Sequence, residues 1–285
     1  MNDLQKCQFE MLKFFVKFCE DHDIKYFLVG GTALGAIRHG GFIPWDDDID
    51  VGIPREDYDR FCEVAAKELN IPGSKYFLQT YETDPEYPYN FAKIRDNTTT
   101  FVEDNFMYCN MNQGVWIDVF PFDGLSTKDQ YTKRELKKRQ NTWYGFYFSY
   151  PRCLKHKIRA KHWWKDFWQN VFSIMFYWCN AKHRLNKRTD KIMRSVPFKD
   201  AKWAINIQGA IHARPLKMEY FQEGTKVKFE GVDMVIPKMY HEYLTALYGD
   251  YMTPPPPDKQ IGMHFHKGLD LNTPWYEWKK DYRKW

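Results

Sequence analysis

The sequence lacks the marks of a small secreted, disulfide-rich protein. Its six cysteines are scattered, with no C-x-x-C pair and no dense spacing. The first residues, MNDLQKCQFEMLKFF, carry a charge every few positions and lack both the apolar segment and the cleavage site of a signal peptide. These absences predict reduced thiols in a cytoplasmic protein.

Internal repeats and long apolar runs are also absent. The apolar run from Phe167 to Cys179 has 13 residues, whereas a membrane-spanning helix needs about 20. With 285 residues, of which 44% are hydrophobic, the chain can still bury a core, as one large domain or as a domain with a sizeable appendage. A disordered chain is therefore excluded.

Charge is distributed unevenly along the chain. Residues 128–194 contain 18 Lys and Arg against 4 Asp and Glu, a local charge of 18 − 4 = +14, although the whole chain carries only +5. Such a segment suits an anionic partner, and electrostatics alone does not distinguish nucleic acid, an anionic membrane or a polyanionic acceptor.

Hydrophobic periodicity predicts an α/β (α+β) chain. Apolar residues at helical spacing predict helices over 3–22 and about 55–69. The runs YFLVGG, DIDVGI, YFLQTY, NFAKIR and GVWIDVF predict short strands, and TKVKFEGVDMVIP predicts a hairpin before a helix over 238–247. A helix TALGAIRHG, capped by Thr32, is expected after the first strand, and the basic middle from Lys128 to Arg194 is expected to be mostly helical.

Four aspartates within five positions stand in FIPWDDDIDVGIP. Alternate side chains of a strand share a face, so Asp48 and Asp50 point together away from the core that receives Ile49. A bare pair of carboxylates is destabilising, whereas a hard divalent cation between them keeps both ionised. The pair predicts a metal site, with a water-facing acidic edge as the alternative. Asp46 shares this face if the strand starts early, and Asp47 is expected to point away.

A third carboxylate, Asp118, stands alone in the apolar strand VWIDVF. A solitary buried carboxylate is costly unless it meets a cation or several donors. We interpret Asp118 as a third metal ligand, and a buried ion pair with lysine or arginine is the alternative.

A phosphate site is predicted where the first strand runs into GGTALGAIR. A glycine turn at the start of a helix offers backbone N–H groups and the positive end of the helix dipole. In FAKIR, two basic side chains share a face and would suit a diphosphate, although a solvated edge would also place them there. The predicted phosphate contacts are Gly30, Gly31, Thr32, Arg38, Lys93 and Arg95.

At these motifs the sequence resembles the LicD family, the bacterial phosphocholine transferases related to fukutin and fukutin-related protein. The resemblance rests on FLVGGTALGAIRHGGFIPWDDDIDVGIPREDYDRF, GVWIDVFPFDGL and YLTALYGDYMTPPPPDKQIGMH, and it spans residues 24–125 strongly and 224–266 more loosely. It implies a nucleotidyltransferase-like mixed sheet with flanking helices. The expected organisation is a catalytic core over 1–125, a basic, aromatic-rich helical segment for acceptor or membrane contact over 126–223, and a part completing the catalytic domain over 224–285.

The resemblance also implies a reaction. Phosphocholine would pass from CDP-choline to a sugar hydroxyl of a cell-surface glycan, such as lipopolysaccharide or teichoic acid, or of its lipid-linked precursor, with CMP leaving. Mg²⁺ or Mn²⁺ would lie between Asp48, Asp50 and Asp118. We expect Asp118 to orient or deprotonate the hydroxyl, with His39 and His264 as alternative proton carriers.

Choline would be held by aromatic faces through cation–π contact. The candidates near the motifs are Trp45, Tyr81, Tyr87, Tyr89 and Trp116, although most of these rings would equally suit the core. Transfer of ribitol or glycerol phosphate from a CDP donor would use polar contacts instead and remains an alternative.

Two hypotheses come from other classes of protein. A nucleic-acid nucleotidyltransferase would use the same carboxylates together with the basic segment, but we do not expect a nucleic-acid partner. A non-catalytic choline-binding or membrane-docking protein would use the aromatic rings and leave the aspartates without a role. Residues 163–179, WWKDFWQNVFSIMFYWC, would suit an interfacial helix at the inner membrane face, and a buried helix or a protomer contact is the alternative.

Overall fold

The structure is a computed structural model. It describes residues 1–104, 106, 109–126, 133, 136–138, 163–164, 167–168, 171, 181–206, 215–262, 264 and 266–282. Most of the basic middle segment therefore lies outside the described residues.

A mixed sheet forms the centre of the fold. Its order is β1 (Phe27–Leu28), β2 (Asp50–Pro54), β6 (Trp116–Leu125), β4 (Ala92–Asp96) and β3 (Tyr76–Gln79), and β7 (Trp203–Ile205) and β8 (Leu216–Lys217) extend it from the far end of β6. β2 and β6 run parallel, whereas the other neighbours are antiparallel. Two separate pairs lie beside it, β9 (Gly224–Phe229) with β10 (Val232–Pro237) and β5 (Thr100–Glu103) with β11 (His266–Asp270).

The α-helices whose bounds lie within the described residues are α1 (Asp3–Asp21), α2 (Gly30–His39), α3 (Arg55–Leu69), α4 (Ala181–Met193), α5 (Tyr240–Tyr248) and α6 (Trp275–Tyr282). α1 and α3 meet through their rings, because Phe61 packs edge-on against Phe15 and Phe18. Amphipathic helices of this kind derive most of their stability from such packing rather than from helix propensity.

A buried ion pair fixes α3 and α4 to the end of the sheet. Arg55, the first residue of α3, donates through Nε and Nη2 to the two carboxylate oxygens of Asp123 on β6, at 2.7 and 2.9 Å. Its Nη1 lies 3.4 Å from Asp190 of α4. Two-point geometry of this kind is what a buried arginine needs to offset the loss of hydration.

Sequence and structure agree on the α/β class and on the main local elements. α1 and α3 confirm the helices expected over 3–22 and 55–69, and the hairpin and the helix that follows it are also confirmed. Helix α4 and the helical residues 163–164, 167–168 and 171 agree with the helical expectation for the middle segment, the rest of which lies outside the described residues. Strands β5, β7, β8 and β11 and helix α6 were not predicted, and the proposed division into three parts stays a prediction.

No helix in the described part of the chain is both long and apolar enough to cross a membrane. The four cysteines that are described, Cys7, Cys19, Cys62 and Cys109, are free thiols. These four thiols agree with the reduced state that the sequence predicts.

Candidate active site

Three carboxylates meet at the start of β2. Asp50 and Asp118 are paired across the parallel strands β2 and β6, and one carboxylate oxygen each from Asp48, Asp50 and Asp118 lies within 4.8 Å of the other two. The intervening Ile49 and the next residue of the strand, Val51, are fully buried. Strand alternation thus brings together the residues that the sequence grouped, and their role as metal ligands stays a prediction.

Crowding of these acids perturbs their protonation. Burial, followed by the charges of Asp48 and Asp118, raises the pKa of Asp50 well above its ordinary value. Burial and the adjacent Asp48 raise the pKa of Asp46 to about 8, so Asp46 belongs to the same acidic neighbourhood. A site whose carboxylates repel one another fits a hard divalent cation, because oxygen ligands and a net negative charge are what such ions bind.

The glycines at the start of α2 make room for the acids. A Cβ on Gly30, whose φ is +56°, would lie 2.7 Å from Asp50 Oδ2, and a Cβ on Gly31 would lie 2.9 Å from Asp46 Oδ2. The positive end of α2 therefore faces carboxylates directly. Any phosphate contact by these glycines would lie beside the acidic group, not apart from it.

Thr32 does not cap α2. The helix already begins at Gly30, and the Thr32 hydroxyl accepts a hydrogen bond of 2.8 Å from the backbone N–H of Asp50. Gly30 donates its own N–H to the Tyr243 hydroxyl at 3.0 Å. Thr32 thus joins α2 to β2, a role that helix-start statistics alone do not reveal.

Lys93 and Asp118 form a buried ion pair. They face each other on the antiparallel strands β4 and β6, Lys93 Nζ lies 2.8 Å from Asp118 Oδ1, and the residues are 2% and 4% exposed. The Trp116 indole N–H donates to the other oxygen, Oδ2, at 3.2 Å. The structure thus shows the ion-pair alternative for Asp118 together with its approach to Asp48 and Asp50.

Both arginines that were predicted to contact phosphate have hydrogen-bond partners within the protein. Arg95 is fully buried and donates to Gln79, to the Gly114 carbonyl and to Glu103, so its guanidinium stays within the protein. Arg38 lies eight residues beyond Gly30, about 12 Å along the axis of α2, and donates to the Tyr251 carbonyl. Phosphate contact by Arg38 and Arg95 stays a prediction, and neither partner could be read from the sequence because both contacts are long-range.

The ammonium group of Lys93 lies against three aromatic rings, two of which are choline candidates. Lys93 Nζ lies 4.1, 5.7 and 6.0 Å from the ring centroids of Trp116, Phe91 and Tyr89. Trp116 and Tyr87 are fully buried, so neither offers a face to a ligand, and Arg95 also lies on the Trp116 ring.

Two of the choline candidates keep partly accessible rings. Tyr89 is half-buried and stacks on Phe91 at 4.8 Å. Trp45 is half-buried and packs edge-on against His39, which is exposed and pairs with Arg38. These two rings, and that of the half-buried Tyr81, could therefore meet a quaternary ammonium without rearrangement of the core.

His264, from the C-terminal part of the chain, packs against residues 46–50, which we call the acidic segment. It contacts Asp47 twice at 2.9 Å, through its backbone N–H and its ring Nδ1, and the ring also lies 3.7 Å from Asp48. Burial opposes its charge, but Asp47 and Asp48 together raise the pKa of His264 to about 9. Asp47 is thus directed at His264 and lies outside the group of Asp48, Asp50 and Asp118.

Three residues that shape this site were not predicted from the sequence. The Tyr243 hydroxyl accepts a hydrogen bond from the Gly30 N–H. Gln5 and Gln8 of α1 donate hydrogen bonds to backbone carbonyls of the acidic segment. A polar residue on the buried face of an amphipathic helix was the one available hint for the glutamines, since buried amides need partners.

Comparison with known proteins places the chain in a family. A family model described as LicD/FKTN/FKRP, nucleotidyltransferase domain, matches residues 23–159. The lipopolysaccharide cholinephosphotransferase LicD of Haemophilus influenzae is 30% identical over 265 residues, which cover 92% of this chain and 94% of that protein. The ribitol 5-phosphate transferase FKRP of Mus musculus is 28% identical over 145 residues, 50% of this chain and 25% of that protein.

The matched region contains all three clustered carboxylates, and the H. influenzae relative is aligned over nearly the whole of both chains. The similarity supports a phosphotransferase in general, because both relatives carry such names. The chain belongs to the LicD family.

Proposed function

We propose that this protein transfers phosphocholine from CDP-choline to a sugar hydroxyl of a cell-surface glycan or its lipid-linked precursor, in a Mg²⁺-dependent reaction. The meeting of Asp48, Asp50 and Asp118 carries the proposal, since phosphoryl transfer depends on positioning and charge neutralisation more than on covalent chemistry. Full-length similarity to a cholinephosphotransferase supports the choice of group.

Asp48, Asp50 and Asp118 would hold the cation, and Mn²⁺ would suit the same oxygen ligands. When bound, it neutralises the diphosphate oxygens of the donor and balances the carboxylates. In the reaction the acceptor oxygen bonds to the phosphorus of phosphocholine, the bond to CMP breaks, and the hydroxyl proton passes to a basic group of the site.

The chain supplies further charges for this chemistry. Protonated His264 and the start of α2 place positive charge beside the acidic segment, where they would offset the charge of the diphosphate. Asp118, whose two oxygens contact Lys93 and the Trp116 indole, would be held in place to orient a ligand.

Transfer of ribitol phosphate is the second candidate. It is favoured by the similarity to a ribitol 5-phosphate transferase over the carboxylate region and by the burial of Tyr87 and Trp116, which removes two rings from the proposed cage. Measuring CMP release with CDP-choline, CDP-ribitol and CDP-glycerol decides between them. Preference for CDP-choline supports our proposal, and preference for CDP-ribitol replaces it.

We further propose peripheral contact with an anionic membrane at its cytoplasmic face. The helical residues Trp163, Trp164, Phe167, Trp168 and Val171 have the i, i+1, i+4, i+5, i+8 spacing of one helix face, and each is at least 36% exposed. They lie within the segment of local charge +14, whose repulsion would oppose pairing of two copies through this face. Aromatic rings flanked by lysine and arginine suit the headgroup region of an anionic bilayer.

A further inference from the structure

Two glutamines interrupt the buried face of α1. Gln5 is 3% exposed and Gln8 is fully buried, alongside apolar neighbours such as Leu4, Met11 and Leu12. A buried amide is costly unless it is hydrogen-bonded, so its partners indicate why it is there.

Gln8 joins the two segments that carry the clustered carboxylates. Its Nε2 donates to the backbone carbonyl of Asp47 at 2.9 Å and, more weakly, to that of Trp116 at 3.4 Å. Asp47 precedes Asp48, and Trp116 begins β6 two residues before Asp118. One side chain therefore spans both sides of the proposed metal site.

Gln5 supports the same segment one turn earlier on α1. Its Nε2 donates to the carbonyls of Asp46 at 3.0 Å and Ile43 at 3.4 Å. Its Oε1 accepts from the backbone N–H of Asn2, which completes a capping box at the start of the helix. The start of α1 and the acidic segment are thus held together.

The acidic segment needs such support because it precedes the β-ladder. The register of β2 and β6 starts at Asp50 and Asp118. The Asp118 N–H donates to the Ile49 carbonyl at 2.8 Å. Asp46 and Asp48 lie before these contacts, where repulsion between carboxylates favours opening of the segment. The side-chain amides of Gln5 and Gln8 on α1 oppose that opening by donating to the backbone of the segment.

The bonding of Gln8 favours positioning over packing. Its Oε1 is buried and has no hydrogen-bond partner in the described part of the chain, and an unpaired buried acceptor is destabilising. Methionine has a similar length and would fill the space without that acceptor. The unpaired Oε1 thus makes glutamine less favourable than methionine for packing alone, and the two hydrogen bonds donated by Nε2 are what distinguishes it.

We propose that Gln8 is a positioning residue, which sets the separation of Asp48 from Asp118 by binding the backbone beside each. This inference rests on the proposed metal site and adds a residue to it. Gln8 touches neither substrate nor cation, so it acts through the backbone alone.

The test compares Gln8→Met with Leu12→Met, a fully buried position on the same helix. Mn²⁺ affinity is measured by electron paramagnetic resonance, and thermal unfolding is followed without metal. We expect Gln8→Met to lose about tenfold in Mn²⁺ affinity, as for other residues that orient metal ligands. Its unfolding temperature should fall no more than that of Leu12→Met, whose Mn²⁺ affinity should not change.

Unchanged Mn²⁺ affinity in Gln8→Met would overturn the inference. So would unfolding of both Gln8→Met and Gln8→Leu at room temperature while Leu12→Met stays folded, because Gln8 would then serve the fold. If the wild type binds Mn²⁺ but releases no CMP from any CDP-alcohol, the proposed function fails while this inference stands. If the wild type binds no Mn²⁺, this inference and the metal site both fail.

Discussion

Lys93 and Asp118 are cross-strand partners whose charges meet at 2.8 Å inside the protein. Asp118 also lies within 4.8 Å of Asp48 and Asp50 through their carboxylate oxygens. Among the described residues, Lys93 forms an ion pair with Asp118, and the His264 ring lies 3.7 Å from Asp48 in the same group of carboxylates. The pair links the charge balance of the site to the stability of the sheet.

Replacing Lys93 with methionine should destabilise the metal-free protein. The change leaves Asp118 buried without its ion-pair partner, which typically costs about 3–5 kcal/mol. Mg²⁺ should then raise the unfolding temperature of Lys93→Met more than that of the wild type, because a bound cation would replace the lost charge. Thermal unfolding with Mg²⁺ and with EDTA measures both effects.

Lys67→Met is the matched control. Lys67 pairs with Glu63 at 2.7 Å, but both side chains are about 70% exposed, and an exposed pair contributes no more than about 1 kcal/mol. A loss in Lys93→Met as small as in Lys67→Met would show that the buried pair does not stabilise the sheet.

Without metal, the free energy of unfolding should fall as pH rises from 6 to 9. The folded-state pKa of Asp46 is raised to about 8, and that of His264 to about 9. The folded state binds more protons than the unfolded state in both cases, so their stabilisation is lost as pH rises through these values. Urea unfolding at several pH values measures the slope.

Asp46→Asn should flatten this pH dependence below pH 8, because it removes one of the carboxyl groups whose pKa is raised in the folded state. Saturating Mg²⁺ should also flatten it by favouring ionised carboxylates. A metal-free protein that becomes more stable between pH 6 and 9 would contradict the proposed crowding of the acids.

Local pattern predicted much of this molecule, and long-range packing decided the rest. Helices α1 and α3 and the grouping of Asp48, Asp50 and Asp118 follow from residue spacing. Residue spacing does not predict which aromatic ring faces stay accessible, because Lys93 lies on a neighbouring strand and covers the Trp116 ring.

The pairing of β5 with β11 illustrates the same limit. Residues 100–103 and 266–270 are distant in sequence, and neither run alternates strongly enough to predict a strand. Sequence spacing likewise gives no partner for His264, whose contact with Asp47 depends on where the C-terminal segment returns.

Tyr89→Ala should raise KM for CDP-choline by about tenfold, the effect of losing a desolvated cation–π contact. KM for CDP-ribitol should change little, since ribitol carries no cation. Tyr87→Phe is the control: its hydroxyl is buried and has no hydrogen-bond partner in the described chain, so KM should stay the same. Equal increases for both donors in Tyr89→Ala would remove Tyr89 from choline recognition.

Binding to anionic vesicles should depend on the exposed aromatic face. Replacing Trp163, Trp164 and Trp168 together with alanine should weaken co-sedimentation with phosphatidylglycerol vesicles at low salt. Added salt should weaken binding of the wild type, and phosphatidylcholine vesicles should bind it poorly.

The control for that experiment replaces three exposed apolar residues outside the basic segment, Ile71, Met252 and Ile261, which are 54%, 53% and 59% exposed. Their replacement by alanine should leave vesicle binding intact. Failure of the wild type to sediment with phosphatidylglycerol vesicles even at low ionic strength would end the membrane proposal.

The most direct test of the proposed reaction is CMP release from CDP-choline in the presence of a glycan acceptor, Mg²⁺ and either wild-type protein or Asp50→Asn. We expect Mg²⁺-dependent release by the wild type and a loss of at least about 100-fold in Asp50→Asn, as when one preorganised electrostatic group is removed. Asp21→Asn, at an exposed carboxylate of α1 paired with Lys17, should match the wild type. Equal CMP release by Asp50→Asn and the wild type would contradict the assignment of these carboxylates to the reaction.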